Sequence, residues 1–407
     1  MRGSIRQRGK GSWEICVDVG RDPSTGKRVR QFETVRGPKR DAERRLRELL
    51  VSVEQGSYIK PARVALGEWL ENWLQSYVAT NCAPTTAESY GFIVYRYLIP
   101  GLGTIPLSQL QPAHIQRFYG EALSQGGVGG RGLSARTVLY CHRVLFEALR
   151  YGVKQGMVSR NVAEAADPPQ PKHTQQATLA ADDIAPFFEA AKRTPWHVPF
   201  YTKLYTGLRR SELLGLRWCD VDLDLAVCSV VQTLHRLAGG KYIMKPPKSA
   251  KSRRLVDLPP TLALLLREYK AEQQALRILL GKPLADSDLV FAHPDGTPLD
   301  PDTITHAFGK LIRRAGLPHM RLHDLRHTHA TLMLKAGVHP KIVQERLGHA
   351  NIGITLDLYS HVVPELQEAA AERFDKILET HLNGKMSARV SRLEVGDTGF
   401  EPVTFCV

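Results

Sequence analysis

The stretch HDLRHTHAT, residues 323–331, places His323, Arg326, His327 and His329 within seven positions. Such crowding of cationic side chains needs a negative partner: a metal's ligand shell, an acidic protein face or a phosphate. His323 and His327, at i and i+4, could hold zinc. Zinc proteases with that spacing carry H-E-x-x-H, however, whereas Asp324 and Arg326 stand here, and an arginine beside the ion would repel it. No metal is expected. Three further groups could do chemistry. In YTGLRRSELLGLRW (205–218), Arg209 and Glu212 lie three apart, on one helix face, and can pair. In KPPKSAKSRRLVDLP (245–259), Lys248 lies between two strand-like runs, at or near the tip of a hairpin that could carry it over a bound polyanion. In LGHANIGITLDLYSHV (347–362), Tyr359 follows His349 by ten residues. Taken singly these are a surface ion pair, a solvated charge run and a structural tyrosine.

The elements that must position these groups occupy a chain of 407 residues, enough for two or three domains. Its net charge of +14 suits a polyanion partner, usually nucleic acid. The N-terminus has no apolar run long enough for a signal peptide, and no run of some 18 apolar residues predicts a membrane span. Six scattered cysteines form no C-x-x-C pair, which fits a reducing cytoplasm.

The predicted organisation is multidomain. Residues 1–60 form a small β-sheet-plus-helix module. Trp13, Ile15, Val17 and Val19 alternate with polar residues as in a half-buried strand, residues 22–27 turn, and 28–34 return. A helix from near Pro38 carries Ala42, Leu46, Leu49, Leu50 and Val53 on one stripe. Residues 1–47 hold 14 Arg and Lys against 6 Asp and Glu, a local +8. Residues 65–165 read as an all-α domain of four helices (66–79, 84–100, 107–123 and 133–158), and 166–178 as a linker. Residues 179–383 are mixed α+β and mainly helical. Helices are predicted at 181–193 and 198–217, strands near 226–234, 241–245 and 253–258, then helices. The tail 384–407 reads as loose.

The set Arg209, Lys248, His323-x-x-Arg326, His349 and Tyr359, in that order, resembles the tyrosine recombinase (phage integrase) family. TGLR-x-SE, the basic lysine run, HDLRHTHAT, LGH and the tyrosine ten residues on all follow the family's pattern. The likeness covers 179–383 as the catalytic domain. By position and composition it extends to 65–165 as a SAM-like core-binding domain and to 1–60 as an arm-type DNA-binding module. The resemblance implies DNA cleavage and rejoining through a 3′-phosphotyrosyl link. Arg209 and Arg326 would clamp the scissile phosphate, since guanidinium forks match two oxygens and stay charged. Tyr359 would be the nucleophile, His323 its base, Lys248 the acid for the 5′-oxygen, and His349 a donor to a phosphate oxygen. Glu212 would orient Arg209 or a histidine, and His327 and His329 would be structural. No cofactor is expected, because the phosphotyrosine stores each broken bond.

The implied partners are double-stranded DNA at core-type and arm-type attachment sites, further copies of the chain in a tetramer, an excisionase and a host DNA-bending protein. The implied setting is the bacterial nucleoid. The implied role is integration and excision of a mobile element such as a prophage or integrative plasmid. A helix at 364–381, with Ala370, Phe374, Ile377 and Leu378 on one stripe, is expected to dock on a neighbouring protomer. GFEP (399–402) back-translates to GGN-TTY-GAR-CCN, a pattern compatible with a tRNA gene's T-arm, which suggests a tRNA-gene attachment site overlapping the last codons. A housekeeping recombinase, a type IB-like topoisomerase and a catalytically dead DNA-binding regulator stand as alternatives.

Overall fold

A computed structural model describes residues 3–21, 26–54, 64–172, 177–247, 252–353, 355–356, 371, 374–376 and 378. It is mainly helical with a small N-terminal sheet and divides into two compact units, Met1–His173 and Thr174–Val407.

In the first unit, β1 (Gly3–Gly9), β2 (Ser12–Arg21) and β3 (Arg28–Arg36) form an antiparallel sheet in that order. The alternation in β2 buries Ile15 and Val17 against Ala42 and Leu49 of α1 (Lys39–Glu54). The predicted strands and helix are thus present. β1 is an addition that sequence reading missed, because GSIRQRG offers one apolar residue, Ile5, in an otherwise polar edge strand.

The helical part of this unit begins with α2 (Leu66–Trp73) and α3 (Ala79–Asn81), joined by a π turn at Leu74–Val78. It continues with α4 (Pro84–Ile93) and α5 (Ile99–Leu102), joined by a second π turn at Val94–Leu98. Then come α6 (Pro112–Gln125) and α7 (Ala135–Lys154). Proline opens α4 and α6, where its missing N–H costs no helical bond, and Ser134 caps α7 by accepting from Thr137 N. Leu70, Trp73, Leu98, Ile115, Val144 and Leu145 are among the side chains of one continuous core.

The second unit starts with α8 (Ala181–Lys192), α9 (His197–Thr206) and the short α10 (Arg210–Leu214). The single helix predicted over 198–217 is therefore corrected: it breaks at Gly207, which takes the left-handed conformation at φ +65° and ends α9. Strands β4 (Val221–Asp222), β5 (Val227–Val230) and β8 (Arg254–Asp257) form one antiparallel sheet, in the order β4-β5-β8. Strands β6 (Thr233–Arg236) and β7 (Tyr242–Lys245) form another.

This pairing corrects the expected hairpin around Lys248. The runs on either side of it do not pair with each other. β7 pairs with β6 (Thr233 opposite Lys245) and β8 pairs with β5 (Val230 opposite Arg254), in two different sheets. The remaining helices are α11 (Pro260–Leu279), α12 (Pro301–Arg314), α13 (Asp324–Lys335) and α14 (Pro340–Leu347). Phe187, Phe200, Leu213, Leu262, Phe291 and Phe308 share the core of this unit. Lys248, Tyr359, the tail 384–407 and most of the predicted 364–381 helix lie outside the described residues. Among the described residues no helix is long and apolar enough to cross a membrane.

Candidate active site

Two glycine turns make the sockets of the site. Gly207 ends α9, and a Cβ there would fall 2.5 Å from Leu347 Cδ2 and 2.8 Å from the His329 ring. Both the positive φ and the close approach therefore require glycine. Gly348 ends α14 in the same left-handed conformation, at φ +64°. Helix ends release backbone carbonyls that need donors. Here two arginines supply them. Arg326, on the first turn of α13, donates from Nη1 to Gly207 O at 2.8 Å and from Nη2 to Leu347 O at 2.5 Å. Arg209, just before α10, donates from Nη2 to Gly348 O at 3.2 Å.

Glu212 joins them. Its buried carboxylate reaches back to accept from Arg209 N at 2.8 Å, as the N3 carboxylate of a capping box does, and from Arg209 Nη1 at 2.7 Å. Arg254, on β8, donates to both carboxylate oxygens at 3.2 and 3.0 Å, and Arg326 Nη1 lies 3.9 Å away. Burial alone would raise the pKa of Glu212; the hydrogen bonds and charge of Arg254, joined by those of Arg209, outweigh it and hold the group at about 2. The carboxylate is therefore ionised at any working pH, and the arginines around it are held by charge-assisted bonds. Arg254 Nε also donates to Arg346 O at 2.6 Å. Arg346 in turn donates to Tyr205 O, to Asp257 O and to His329 Nε2, which ties α9, β8 and α13 to α14.

Arg326 is 2% exposed, while Arg209 keeps 35% of its side chain open. Burial, then the charge of Arg209, lower the pKa of Arg326 to about 9, which leaves it cationic at neutral pH. Beneath the turn lies a fully buried lysine: Lys203 of α9 donates from Nζ to Leu208 O at 2.7 Å.

The histidines around this cluster are held neutral. His323, just before α13, packs edge-to-face on His327 with ring centroids 5.1 Å apart. Its ring reaches the surface, yet partial burial, and then the charge of Lys203, lower its pKa. His349 is buried, pairs through Nδ1 with Thr355 Oγ1 at 2.9 Å, and is lowered to about 3 by burial and then by Arg326 and Arg209. A neutral imidazole can accept a proton or donate one hydrogen bond, whereas an imidazolium can only donate. The assembly thus offers two fixed positive forks beside neutral imidazoles, an arrangement suited to an oxyanion whose charge grows during reaction.

Residues 178–365 match the phage integrase family model, and residues 65–123 match the model of the phage integrase N-terminal SAM-like domain. The chain belongs to the phage integrase family. It is a tyrosine-type site-specific recombinase. A tyrosine recombinase XerC-like protein of Caldanaerobacter subterraneus subsp. tengcongensis is 28% identical over 387 residues, covering 91% of this chain and 97% of the relative. The Tn1549 transposon integrase, solved with transposon right end DNA, superposes with a TM-score of 0.65 at 21% identity, covering 76% of this chain and 99% of that one. A lambda integrase tetramer bound to a Holliday junction gives 0.53 at 19% identity, covering 88% of this chain and 94% of that one.

In this recombinase the residues expected from sequence divide into two groups. Arg209 is hydrogen-bonded to Glu212, Arg326 lies within ion-pair distance of the same carboxylate, and His323 and His349 lie close enough to feel the charges of this cluster. Lys248 and Tyr359 fall outside the described residues. Glu212 touches arginines. Among the described contacts it orients no histidine. His329 accepts from Arg346 Nε at 3.2 Å, and His327 packs on His323, so both are tied into the frame of the site. Sequence reading missed Lys203, Arg254 and Arg346. The only signal for Lys203 was its place on an inward helix face, three residues after Phe200. Arg254 and Arg346 look like surface charges in their local patterns.

Proposed function

We propose that the recombinase breaks and rejoins DNA with Tyr359 as nucleophile and Arg209 and Arg326 as the clamp on the scissile phosphate. The observation that carries this reading is the arginine pair rooted in Glu212, Gly207 O, Leu347 O and Gly348 O. Preorganised donors of this kind need no rearrangement as negative charge grows on the non-bridging oxygens. The Tyr359 oxygen attacks phosphorus as its proton passes to His323, which is neutral at working pH. The bond from phosphorus to the 5′-oxygen breaks, and Lys248 protonates that oxygen. His349 donates to a phosphate oxygen. Rejoining is the same step reversed by a new 5′-hydroxyl, so the chemistry calls on no nucleotide cofactor.

The rest of the chain fits a mobile-element integrase. Residues 65–165 serve as the core-binding domain and 1–60, with its +8, as an arm-site reader whose contacts are mostly to phosphates. Assembly is as a tetramer on DNA, supported by the likeness to lambda integrase, with the segment 364–381 docking in trans; Phe374 and Leu378, both exposed, leave an apolar stripe to cover. An excisionase and a host DNA-bending protein complete the set of partners, the enzyme acts at the nucleoid, and a tRNA gene is the attachment site.

A nicked attachment-site duplex, built from the DNA flanking the gene, tests the reading. The wild type should become covalently attached through the 3′-phosphate, and Tyr359→Phe should bind without attaching. An adduct in Tyr359→Phe would move the nucleophile elsewhere. Relaxation of any supercoiled plasmid without site preference would favour a topoisomerase instead.

A further inference from the structure

We propose that Lys203 is a positioning residue for strand cleavage: its buried ammonium pins the Gly207–Leu208–Arg209 turn in the geometry that aims Arg209 and Arg326 at the phosphate. The proposal rests on the reading of that arginine pair as a phosphate clamp. The turn is tied at three successive residues. Gly207 O accepts from Arg326, Leu208 O accepts from Lys203 at 2.7 Å, and Arg209 is held by Glu212 and Gly348 O. Lys203 reaches the turn out of α9 as a cationic donor, beside Thr206, whose Oγ1 accepts from Leu208 N at 3.4 Å, and a shift of Leu208 would move the residues on either side of it. Both of those serve the clamp: Gly207 as the acceptor for Arg326, and Arg209 as the second fork.

Stability alone disfavours an ammonium at this position. Lys203 is 0% exposed, and Phe200 and Leu204 of the same helix are buried beside it. The charged groups that face it are Arg326 from α13 and Arg209 and Arg210 from the start of α10, against Glu212 alone on the negative side, with the neutral His323 and His327 beside them. Burial, then the charge of Arg326, lower its pKa to about 7. An unbranched apolar side chain of similar length would fill the space without desolvating a charge, and such replacements are often neutral or stabilising. A bound phosphate changes that balance, because its negative charge favours the protonated lysine. The lysine is thus costly in the free protein and useful in the DNA complex.

The test compares Lys203→Met, Lys203→Gln and the wild type in the full chain, on the nicked attachment-site duplex. Methionine removes the donor. Glutamine keeps a donor without a charge. Because the folded pKa of Lys203 lies below its unfolded value of about 10.5, the fold disfavours the ammonium and gains stability as pH rises from about 7. Lys203→Met should therefore melt no lower than the wild type at pH 6. It should bind DNA within a few-fold of the wild type and yet cleave at least roughly tenfold more slowly at saturating DNA, the scale of a small misalignment. Lys203→Gln should recover part of that loss. The wild-type rate divided by the Lys203→Gln rate should fall several-fold from about pH 6 to 8.5 at subsaturating DNA, as the wild type alone loses its charge at position 203. That ratio cancels the titration of Tyr359.

Cleavage by Lys203→Met within about twofold of the wild type would overturn the proposal. So would a lowered Tm together with a pH-independent rate ratio, which is the signature of a merely structural lysine. If Lys203→Met does not fold, the ratio measured with Lys203→Gln decides alone, and a flat ratio overturns the proposal. A wild type that forms no adduct at all would instead overturn the arginine-clamp reading, and this proposal with it.

Discussion

Arg45 of the N-terminal module pairs with Glu33 and Glu48 while 44% of its side chain stays in solvent, whereas Arg326 of the second unit is 2% exposed and bonds to two backbone carbonyls. The contrast extends through both regions. The module's ion pairs Arg8–Glu14, Lys39–Glu43 and Arg44–Asp41 are surface contacts in which each cation keeps most of its side chain in solvent. The second unit buries Arg254, Arg326 and Lys203 around Glu212 and glycine turns. Exposed cations are screened by salt and can meet many phosphate positions; buried ones are fixed before the ligand arrives and meet one. One chain thus carries two kinds of positive charge, exposed on the module and buried in the second unit; the proposed function makes the first a surface for holding DNA and the second a socket for acting on it.

The contrast can be broken at several points. The largest effect should come from Arg209→Ala, which removes one fork of the socket. Cleavage should slow by about 10²-fold or more, the scale for losing one preorganised donor, when single-turnover adduct formation is measured on the nicked duplex. A loss under tenfold would make Arg209 a binding residue.

Gly207→Ala should come next. It forces a side chain into the left-handed region and against Leu347 and His329, and should cost about 2 kcal/mol or more in denaturant unfolding of the second unit. Native stability in this variant would mean that the turn can relax, and that its geometry is not what holds Arg326.

The pH dependence of stability follows from the buried histidines. Burial, followed by the charge of Arg346 for His329 and of Arg326 for His349, holds both near a pKa of about 3. Both titrate near 6.5 when unfolded. Between those values the unfolded chain binds protons that the fold refuses, so stability is lost as pH falls below about 6.5. At pH 5 each such histidine should cost about 2 kcal/mol. Thermal melts of the DNA-free protein between pH 7 and 5 check the sign, and a Tm that rises on acidification would refute it.

The smallest effect belongs to the surface. Breaking the Arg45–Glu33 pair with Arg45→Ala should change stability by no more than about 1 kcal/mol.

Much of this organisation is legible in the sequence, and the gaps have physical causes. Local periodicity marks β2, α1 and the four-helix run, because each carries an apolar stripe that its own fold must cover, and β3 follows as the strand that returns from the turn after β2. The order of Arg209, His323, Arg326 and His349 is legible too, since each sits in a short motif whose glycine or helix start is local. Strand β1 is not, because an edge strand with one apolar residue has no stripe to read. The partners of β7 and β8 are not either: β7 pairs with β6 and β8 with β5, and two runs flanking a basic segment look the same whether they pair together or belong to different sheets. Lys203, Arg254 and Arg346 escape for a related reason. Their partners lie in distant segments, and an isolated charge in a local pattern reads as solvated until the fold buries it.

The most direct test sets the two regions against each other in one experiment. DNA affinity over a series of salt concentrations and single-turnover cleavage of a core site are measured for Arg326→Ala and for a chain lacking residues 1–60. The expected result is a double dissociation. Arg326→Ala should cleave about 10²-fold or more slowly while keeping the wild-type affinity and salt slope. The truncated chain should cleave the core site at close to the wild-type rate while its affinity for arm-site DNA falls and its salt slope flattens. Arg326→Ala losing affinity in proportion to cleavage, or the truncation losing cleavage outright, would contradict the division between a holding surface and an acting socket.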